Sequence, residues 1–114
     1  MTDQQFNFCV QECANYKTSA AYVSDLALSS IWGGGSEDDL PVDLVGTLRS
    51  IYTAVHRTLR EIVEASGLSQ AAFARRYCIP KRTVENWCSG VNDCPLYTRL
   101  LLQESLGLLQ VDVK

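Results

Sequence analysis

Apolar residues recur every three to four positions along most of the chain, which is the spacing of amphipathic α-helices. The pattern predicts a short helix over 6–16 and a second helix over 19–32. A third, longer helix is predicted over 42–65, where the apolar stripe is sustained. No segment shows the clear alternation of a half-buried strand. The sequence therefore predicts an all-α fold, a compact helical bundle.

Glycine and acidic residues interrupt this pattern between the second and third helices. Residues 33–36 read Gly-Gly-Gly-Ser, and an acidic triplet follows at 37–39. Glycine runs have little preference for helix, so the segment 33–40 is predicted to be an exposed linker. We therefore expect an N-terminal helical extension over 1–32 and a separate C-terminal domain over 41–114.

The most informative segment is 68–90, which predicts two short helices joined by a tight turn. Ser69 is suited to cap the first helix, which is predicted to run from 70 to 77. The proline after Ile79 disfavours a helical conformation there, so the first helix has to end before it. The second helix is predicted over about 81–88 and is stopped by a Ser-Gly pair. Helices this short are unstable alone and need to pack on each other and on a third.

The apolar positions of these two helices are spaced so that they can converge on a shared core. They are Leu68, Phe73, Ala74, Tyr77, Ile79, Val84 and Trp87. Ala74 is small and lies where the two helices are expected to cross most closely. The outer face of the second helix is left to polar and basic side chains.

With these residues in place, the segment resembles the helix-turn-helix of the Cro and phage-repressor (Xre-like) DNA-binding family. The positions that carry the resemblance are Leu68, Ser69, Gln70, Ala74, Ile79, Val84, Trp87, Gly90 and Pro95. The resemblance extends over about 44–106 if the flanking helices complete the bundle. It departs from the family at Cys78, where glycine is common, and at Pro80, where serine or threonine usually caps the helix. Residues 1–40 match nothing in the family.

The resemblance implies a transcription regulator that binds double-stranded DNA sequence-specifically, with the helix over 81–88 in the major groove. The side chains that would face base edges are Lys81, Arg82, Thr83 and Asn86. Lysine or arginine at such a position can donate to guanine. Phosphate contacts, which orient the protein without reading sequence, are implied for Ser69, Gln70, Arg75 and Arg76.

A homodimer is also implied, because one recognition helix reads too few base pairs for useful discrimination. Two surfaces are candidates for the dimer interface. One is the leucine-rich stretch over 100–109, and the other is formed by the N-terminal helices.

The distribution of charge adds an alternative. Residues 1–44 hold one basic and seven acidic side chains, a net charge of −6, whereas 45–114 hold nine basic and six acidic ones, a net +3. The basic part suits DNA, while the acidic part repels it and can dock a basic protein. The alternative is thus an antitoxin or mobile-element inhibitor that acts mainly through protein–protein contacts on a helix-turn-helix scaffold.

Composition and motifs reduce the number of functional classes that the sequence allows. The five cysteines are an odd number and lack the tight CxxC spacing of structural zinc sites, so we expect buried thiols rather than disulfides or a metal. No nucleophile–histidine pair or phosphate-binding loop is signalled, so we expect neither enzyme activity nor a cofactor. The polar start and the lack of a long apolar run predict a cytoplasmic protein without membrane contact.

Overall fold

A computed structural model describes residues 1–33, 43–111 and 113 of the chain. Every regular element in these residues is helical, which confirms the predicted all-α class. The α-helices are α1 (Asp3–Glu12), α2 (Ser19–Ala27), α3 (Leu44–His56), α4 (Leu59–Ser66), α5 (Gln70–Tyr77), α6 (Lys81–Ser89) and α7 (Leu96–Ser105). Short 3-10 turns follow α1 and α2 at Cys13–Asn15 and Ser30–Trp32. Within the described ranges, no helix is long and apolar enough to cross a membrane.

The chain divides into two compact units. The first unit comprises Met1–Val55 together with Leu109–Lys114, and the second comprises His56–Leu108. Almost all of α3 therefore belongs to the first unit, whereas the sequence pattern predicted it within a C-terminal domain over 41–114. The predicted linker over 33–40 lies outside the described residues except for Gly33.

The first unit has a core in which aromatic rings pack edge-on or tilted against Tyr22, beside two buried thiols. Tyr22 is fully buried, and its hydroxyl donates to the carbonyl oxygen of Cys9 at 2.8 Å. Its ring lies 5.1 Å from that of Tyr52 and 5.7 Å from that of Tyr16, as measured between centroids. Burial, reinforced by neighbouring Cys13, raises the pKa of the Cys9 thiol to about 11. The thiols of this core are therefore protonated at neutral pH and act as small apolar groups.

Helix caps explain where α1 and α2 depart from the predicted ranges. Thr2 and Gln5 form a reciprocal capping box, in which the Gln5 N–H donates to Thr2 Oγ1 at 3.1 Å and Gln5 Oε1 accepts from the Thr2 N–H at 2.8 Å. The first helix therefore starts at Asp3, ahead of the predicted residue 6. The predicted second helix ends early, and Ser29 starts a separate 3-10 turn by accepting from the Ile31 N–H.

The prediction of one continuous helix over 42–65 is wrong. The chain leaves helix after His56, and Thr58 caps a new helix, α4. Thr58 Oγ1 accepts from the Glu61 N–H at 3.2 Å, and the Glu61 carboxylate accepts from the Thr58 N–H at 3.0 Å. These bonds satisfy backbone donors at the new helix start, so the break is stabilised locally. Residue 42 lies outside the described part of the chain.

The second unit is built around one hydrophobic core to which α4, α5, α6 and α7 all contribute. Its buried side chains are Leu59, Ile62, Val63, Phe73, Ala74, Val84, Cys94 and Leu102. The other predicted core residues, which are Leu68, Tyr77, Ile79 and Trp87, pack against this cluster while partly buried. Full burial of a side chain such as Phe73 stabilises the fold by about 1.5–3 kcal/mol. This core therefore supplies the stability that short helices lack in isolation.

A polar network inside the second unit connects α7 to the residues that precede α4. Gln103 is fully buried, and its Oε1 accepts from the Arg57 guanidinium at 2.8 Å. The Arg99 guanidinium donates to the carbonyl oxygens of Arg57, at 2.8 Å, and of Cys94, at 3.3 Å. Two of the unit's seven arginine and lysine side chains thus make hydrogen bonds inside the fold. The other five contribute positive charge to its surface.

Candidate nucleic-acid interface

The ends of α5 and α6 are set by local features of the sequence, namely a helix cap, a tight turn and a glycine. Ser69 Oγ accepts from the Ala72 N–H at 3.1 Å, so it caps α5 as predicted. Cys78 ends that helix in the left-handed conformation with φ 56°, and it is the one non-glycine residue with positive φ in the described chain. The Ile79 N–H then donates to the Ala74 carbonyl at 2.9 Å and closes the turn. A three-residue turn, 78–80, therefore fixes the relative direction of the two helices.

α6 is anchored to the core by one face. Val84 is fully buried, and Trp87 packs partly buried against the same core. Pro80 precedes the helix and provides no side-chain cap, as its replacement of serine or threonine predicted. Gly90, with φ 83°, ends the helix in the left-handed conformation that favours glycine. The opposite face is consequently presented outward on a fixed backbone.

The residues predicted to face base edges lie on that outward side. Lys81 and Arg82 are exposed in the first turn, while Thr83 and Asn86 are half-buried. Residues three and four positions apart share a helix face, so Arg82 and Thr83 both lie next to Asn86. Lys81 Nζ is 3.9 Å from a Glu85 carboxylate oxygen, an exposed ion pair that binds weakly. The structure thus places Lys81, Arg82 and Thr83 in the first turn of α6 and Asn86 one turn later.

The residues predicted to bind phosphate fall into two groups at opposite ends of α5. Ser69 and Gln70 are exposed at its start, and Arg75 and Arg76 are exposed in its last turn. Arg76 lies six positions after Gln70 in the helix, which is about 9 Å along the axis. The Arg76 guanidinium lies 5.8 Å from the centroid of the Tyr77 ring, which orients it by a cation–π contact. The four residues therefore do not form a single anion site.

An open groove of about 470 Å³ lies beside the outer face of α6. The groove is lined by Arg60, Gln70, Glu85, Asn86, Cys88 and Ser89. Gln70 and Asn86 were predicted to contact DNA, whereas Arg60, on α4, was not among the predicted site residues. The sequence held one signal for it: Arg60 and Glu64 are spaced for an exposed i,i+4 ion pair, which the structure shows at 3.5 Å.

The thiols divide by position. Cys9, Cys13 and Cys94 are buried, as expected, but Cys78 is exposed in the turn and Cys88 is half-buried in the groove. Burial raises the pKa of Cys94 to about 11 and also raises that of Cys88, where the Arg60 charge acts in the opposite direction. Among the described residues, no cluster of histidine, cysteine and acidic side chains has the arrangement of a metal site.

The leucine-rich stretch that was one candidate dimer surface is divided between core and surface. Leu102 is buried and Leu106 packs against the core of the second unit. By contrast, Leu101 is 64 % exposed, and Tyr97, one turn earlier on α7, is 70 % exposed. The part of this stretch that can meet another molecule is therefore the outer face of α7.

Comparison of the chain with protein-family models, with curated proteins and with solved structures finds no match. A functional reading consequently depends on the residues and geometry of the second unit.

Proposed function

We propose that this chain is a sequence-specific, double-stranded DNA-binding transcription regulator that inserts α6 into the major groove. The observation that carries the proposal is the two-sided character of α6. One side of the helix is fixed in the core through Val84, and the other side presents Lys81 and Arg82 outward. The major groove admits an α-helix and displays a distinct pattern of donors and acceptors for each base pair. A rigidly mounted helix with cationic donors near its start is suited to read that pattern.

The proposed roles follow from the chemistry of each side chain. Arg82 carries a guanidinium that can donate two hydrogen bonds to O6 and N7 of one guanine. Asn86, on the same face, can bind adenine through its amide, and the Thr83 methyl can contact thymine. Lys81 is the first residue of α6 and supplies a flexible cation that can reach a base edge or the adjacent backbone.

The backbone of the duplex is proposed to run past both ends of α5. Gln70 can donate through its amide, and the Ser69 hydroxyl, which accepts from Ala72, retains a proton to donate. Arg75 and Arg76 would meet phosphates at the other end. Adjacent helical residues point about 100° apart, so only one of these two arginines would lie directly on a given strand. Such contacts orient the protein without selecting sequence.

The DNA-binding form is proposed to be a homodimer. A single α6 spans few base pairs, and two copies related by a twofold axis would read an inverted repeat with one helical turn between half-site centres. The exposed apolar side chains of α7, Tyr97 and Leu101, lie in the same unit as α6.

Selection from a random duplex pool tests the proposal. Wild-type protein, the variant Lys81→Ala/Arg82→Ala and a control with the same loss of charge, Lys17→Ala/Arg49→Ala, would each be taken through selection at a low and a high salt concentration. We expect wild type and control to enrich one inverted repeat, and the α6 variant to enrich none. Absence of enrichment by all three proteins at low salt would contradict DNA recognition.

A second function is favoured by the charge of the first unit. Its segment Met1–Val55 holds two basic and seven acidic side chains, a net charge of −5. A net negative charge of this size disfavours DNA and can steer a basic protein partner. On this alternative the chain acts as an antitoxin or mobile-element inhibitor, and it would capture a basic protein in a salt-dependent manner while enriching no duplex.

A further inference from the structure

The groove between α4, α5 and α6 combines one cation with several hydrogen-bond donors. Arg60 comes from α4, Gln70 from the first position of α5, and Asn86 and Ser89 from the later part of α6. All of these side chains belong to the second unit, so one hydrophobic core fixes the helices that carry them. Guanidinium, amide and hydroxyl groups are all donors that proteins use to bind phosphate oxygens.

Arg60 can turn its charge toward an anion in this groove at little cost. Its contact with Glu64 is 3.5 Å long, and the two side chains are 71 % and 68 % exposed. Exposed pairs of this kind contribute little net stability, so the guanidinium can exchange one anionic partner for another. Its positive charge also acts on the Cys88 thiol, another side chain of the groove wall, where it opposes the rise in pKa caused by burial.

The wall also contains one carboxylate, that of Glu85. This carboxylate pairs with Lys81 at 3.9 Å, on the side of α6 that leads to the proposed base-reading residues. The pairing offsets part of its negative charge. The groove wall therefore holds one guanidinium and one carboxylate, and each has an exposed partner of opposite charge outside the wall, Glu64 for Arg60 and Lys81 for Glu85.

We infer that this groove is a seat for one phosphate of the DNA backbone and that Arg60 supplies its charge. The inference depends on the proposed function and adds to it a residue and a site that fix how α6 is oriented. Arg60 acts as a positioning residue: it neutralises a phosphate beside α6 while Arg82 and Asn86 read bases. Gln70 would then bind phosphate together with residues of α4 and α6, and not as an isolated contact at the start of α5.

The salt dependence of binding measures this contact. A labelled duplex of mixed sequence would be titrated with wild type, Arg60→Gln and the control Arg49→Gln, an exposed cation of the first unit, between about 50 and 200 mM salt. Each phosphate neutralised contributes about 0.9 to the slope of log affinity against log salt. We expect Arg60→Gln to reduce that slope by about 0.9 per bound protomer and Arg49→Gln to leave it unchanged.

The variant Glu64→Gln separates a phosphate contact from a merely structural role of the ion pair. If Arg60 binds phosphate, loss of its competitor Glu64 strengthens binding and preserves the slope. If Arg60 matters only through its pair with Glu64, the two variants weaken binding alike. Circular dichroism of each variant verifies that the helices are intact.

A thiol footprint provides a second readout. Cys88 lies in the groove, so a bound duplex should slow its alkylation by N-ethylmaleimide, as read by mass spectrometry of the labelled peptides. An unchanged slope in Arg60→Gln, or Cys88 labelling that is equal with and without duplex, would overturn the phosphate seat while wild-type binding persists. Failure of wild type to bind any duplex would instead overturn the proposed function itself.

Discussion

At the scale of single residues, two neighbouring side chains of α6 have different proposed roles in DNA binding. Arg82 is exposed on the same face as Asn86 and has the planar fork that matches guanine. Lys81 is exposed one position earlier and carries a flexible point charge that is shared with Glu85. Their separate substitution therefore distinguishes reading of bases from attraction to the backbone.

Arg82→Ala is expected to weaken binding to a selected duplex by about 1–3 kcal/mol and to relax the preference at one base pair of each half-site. Lys81→Ala is expected to reduce the salt slope by about 0.9 if the lysine meets phosphate. Both effects are measured by fluorescence titration against the selected duplex and its single-base variants. Identical sequence preference in Arg82→Ala and wild type would contradict the assignment of α6 as the reading helix.

The left-handed backbone conformation of Cys78 is expected to lower the stability of the fold, and this effect can be measured. Its φ of 56° places a side chain in the left-handed region, which costs about 1–2 kcal/mol, although glycine would lose about 0.5–1 kcal/mol in chain entropy. Cys78→Gly is therefore expected to raise the free energy of unfolding by about 0.5–1 kcal/mol in urea denaturation. Gly67→Ala, at φ 74° in open space, should act in the opposite direction. A less stable Cys78→Gly would show that the turn needs its thiol.

At the scale of elements, the α5–α6 pair could be predicted almost residue by residue. The predicted ranges 70–77 and about 81–88 compare with Gln70–Tyr77 and Lys81–Ser89. The reason is that local signals bracket both helices: Ser69 caps the start of α5, Pro80 separates the two helices, and Gly90 ends α6. The prediction of Trp87 as core was also right in position, but its partial burial indicates a smaller loss on truncation than for fully buried Phe73.

The break between α3 and α4 was missed because apolar periodicity continues across it. The signal was present in Thr58-x-x-Glu61, a capping-box pattern that outweighs the helical preference of the surrounding residues. The groove was missed for a different reason. The groove depends on how α4 crosses α5 and α6. No local sequence pattern predicts the arrangement of three helices in space.

Thr58→Ala tests the importance of that cap. Loss of the threonine hydroxyl is expected to cost about 1 kcal/mol in free energy of unfolding. Two hydrogen bonds lower the pKa of Glu61 in the folded state. The larger effect comes from the backbone N–H of Thr58, and the smaller from the Thr58 side chain. The stabilisation linked to Glu61 is therefore present above its unfolded pKa, about 4.3, and is lost as the pH falls through the lower folded value.

The variant should consequently show a smaller loss of stability on acidification over that range than wild type does. Urea unfolding at a series of pH values measures both quantities. Thr18→Ala, which removes a cap of α2 in the first unit, serves as the control. Alanine keeps the backbone N–H of residue 58, so equal acid sensitivity of Thr58→Ala and wild type would contradict a contribution of the Thr58 hydroxyl to the lowered Glu61 pKa.

At the scale of the whole molecule, charge is divided between the two units. The second unit holds seven basic and five acidic side chains, a net +2, against the net −5 of Met1–Val55. The acidic triplet at 37–39 supplies three of those negative charges. If the second unit binds DNA, this negative charge lowers the affinity by repulsion and limits non-specific binding.

Neutralisation of the triplet, as Glu37→Gln/Asp38→Asn/Asp39→Asn, is expected to raise affinity for a mixed-sequence duplex at low salt. The gain should fade as salt screens the charges. The charge-conserving variant Glu37→Asp/Asp38→Glu/Asp39→Glu should bind like wild type. Both comparisons are made by titration at several salt concentrations. Weaker DNA binding by the neutral variant would mean that the triplet does not act through repulsion of the duplex.

The most direct test of the central claim is a nuclear magnetic resonance titration of ¹⁵N-labelled protein with the selected duplex. We expect the largest amide shifts along α6 and at the start of α5, with those of α1 and α2 much smaller. Shifts confined to α1, α2 and α3, or none at saturating duplex, would contradict the proposal that α6 meets DNA.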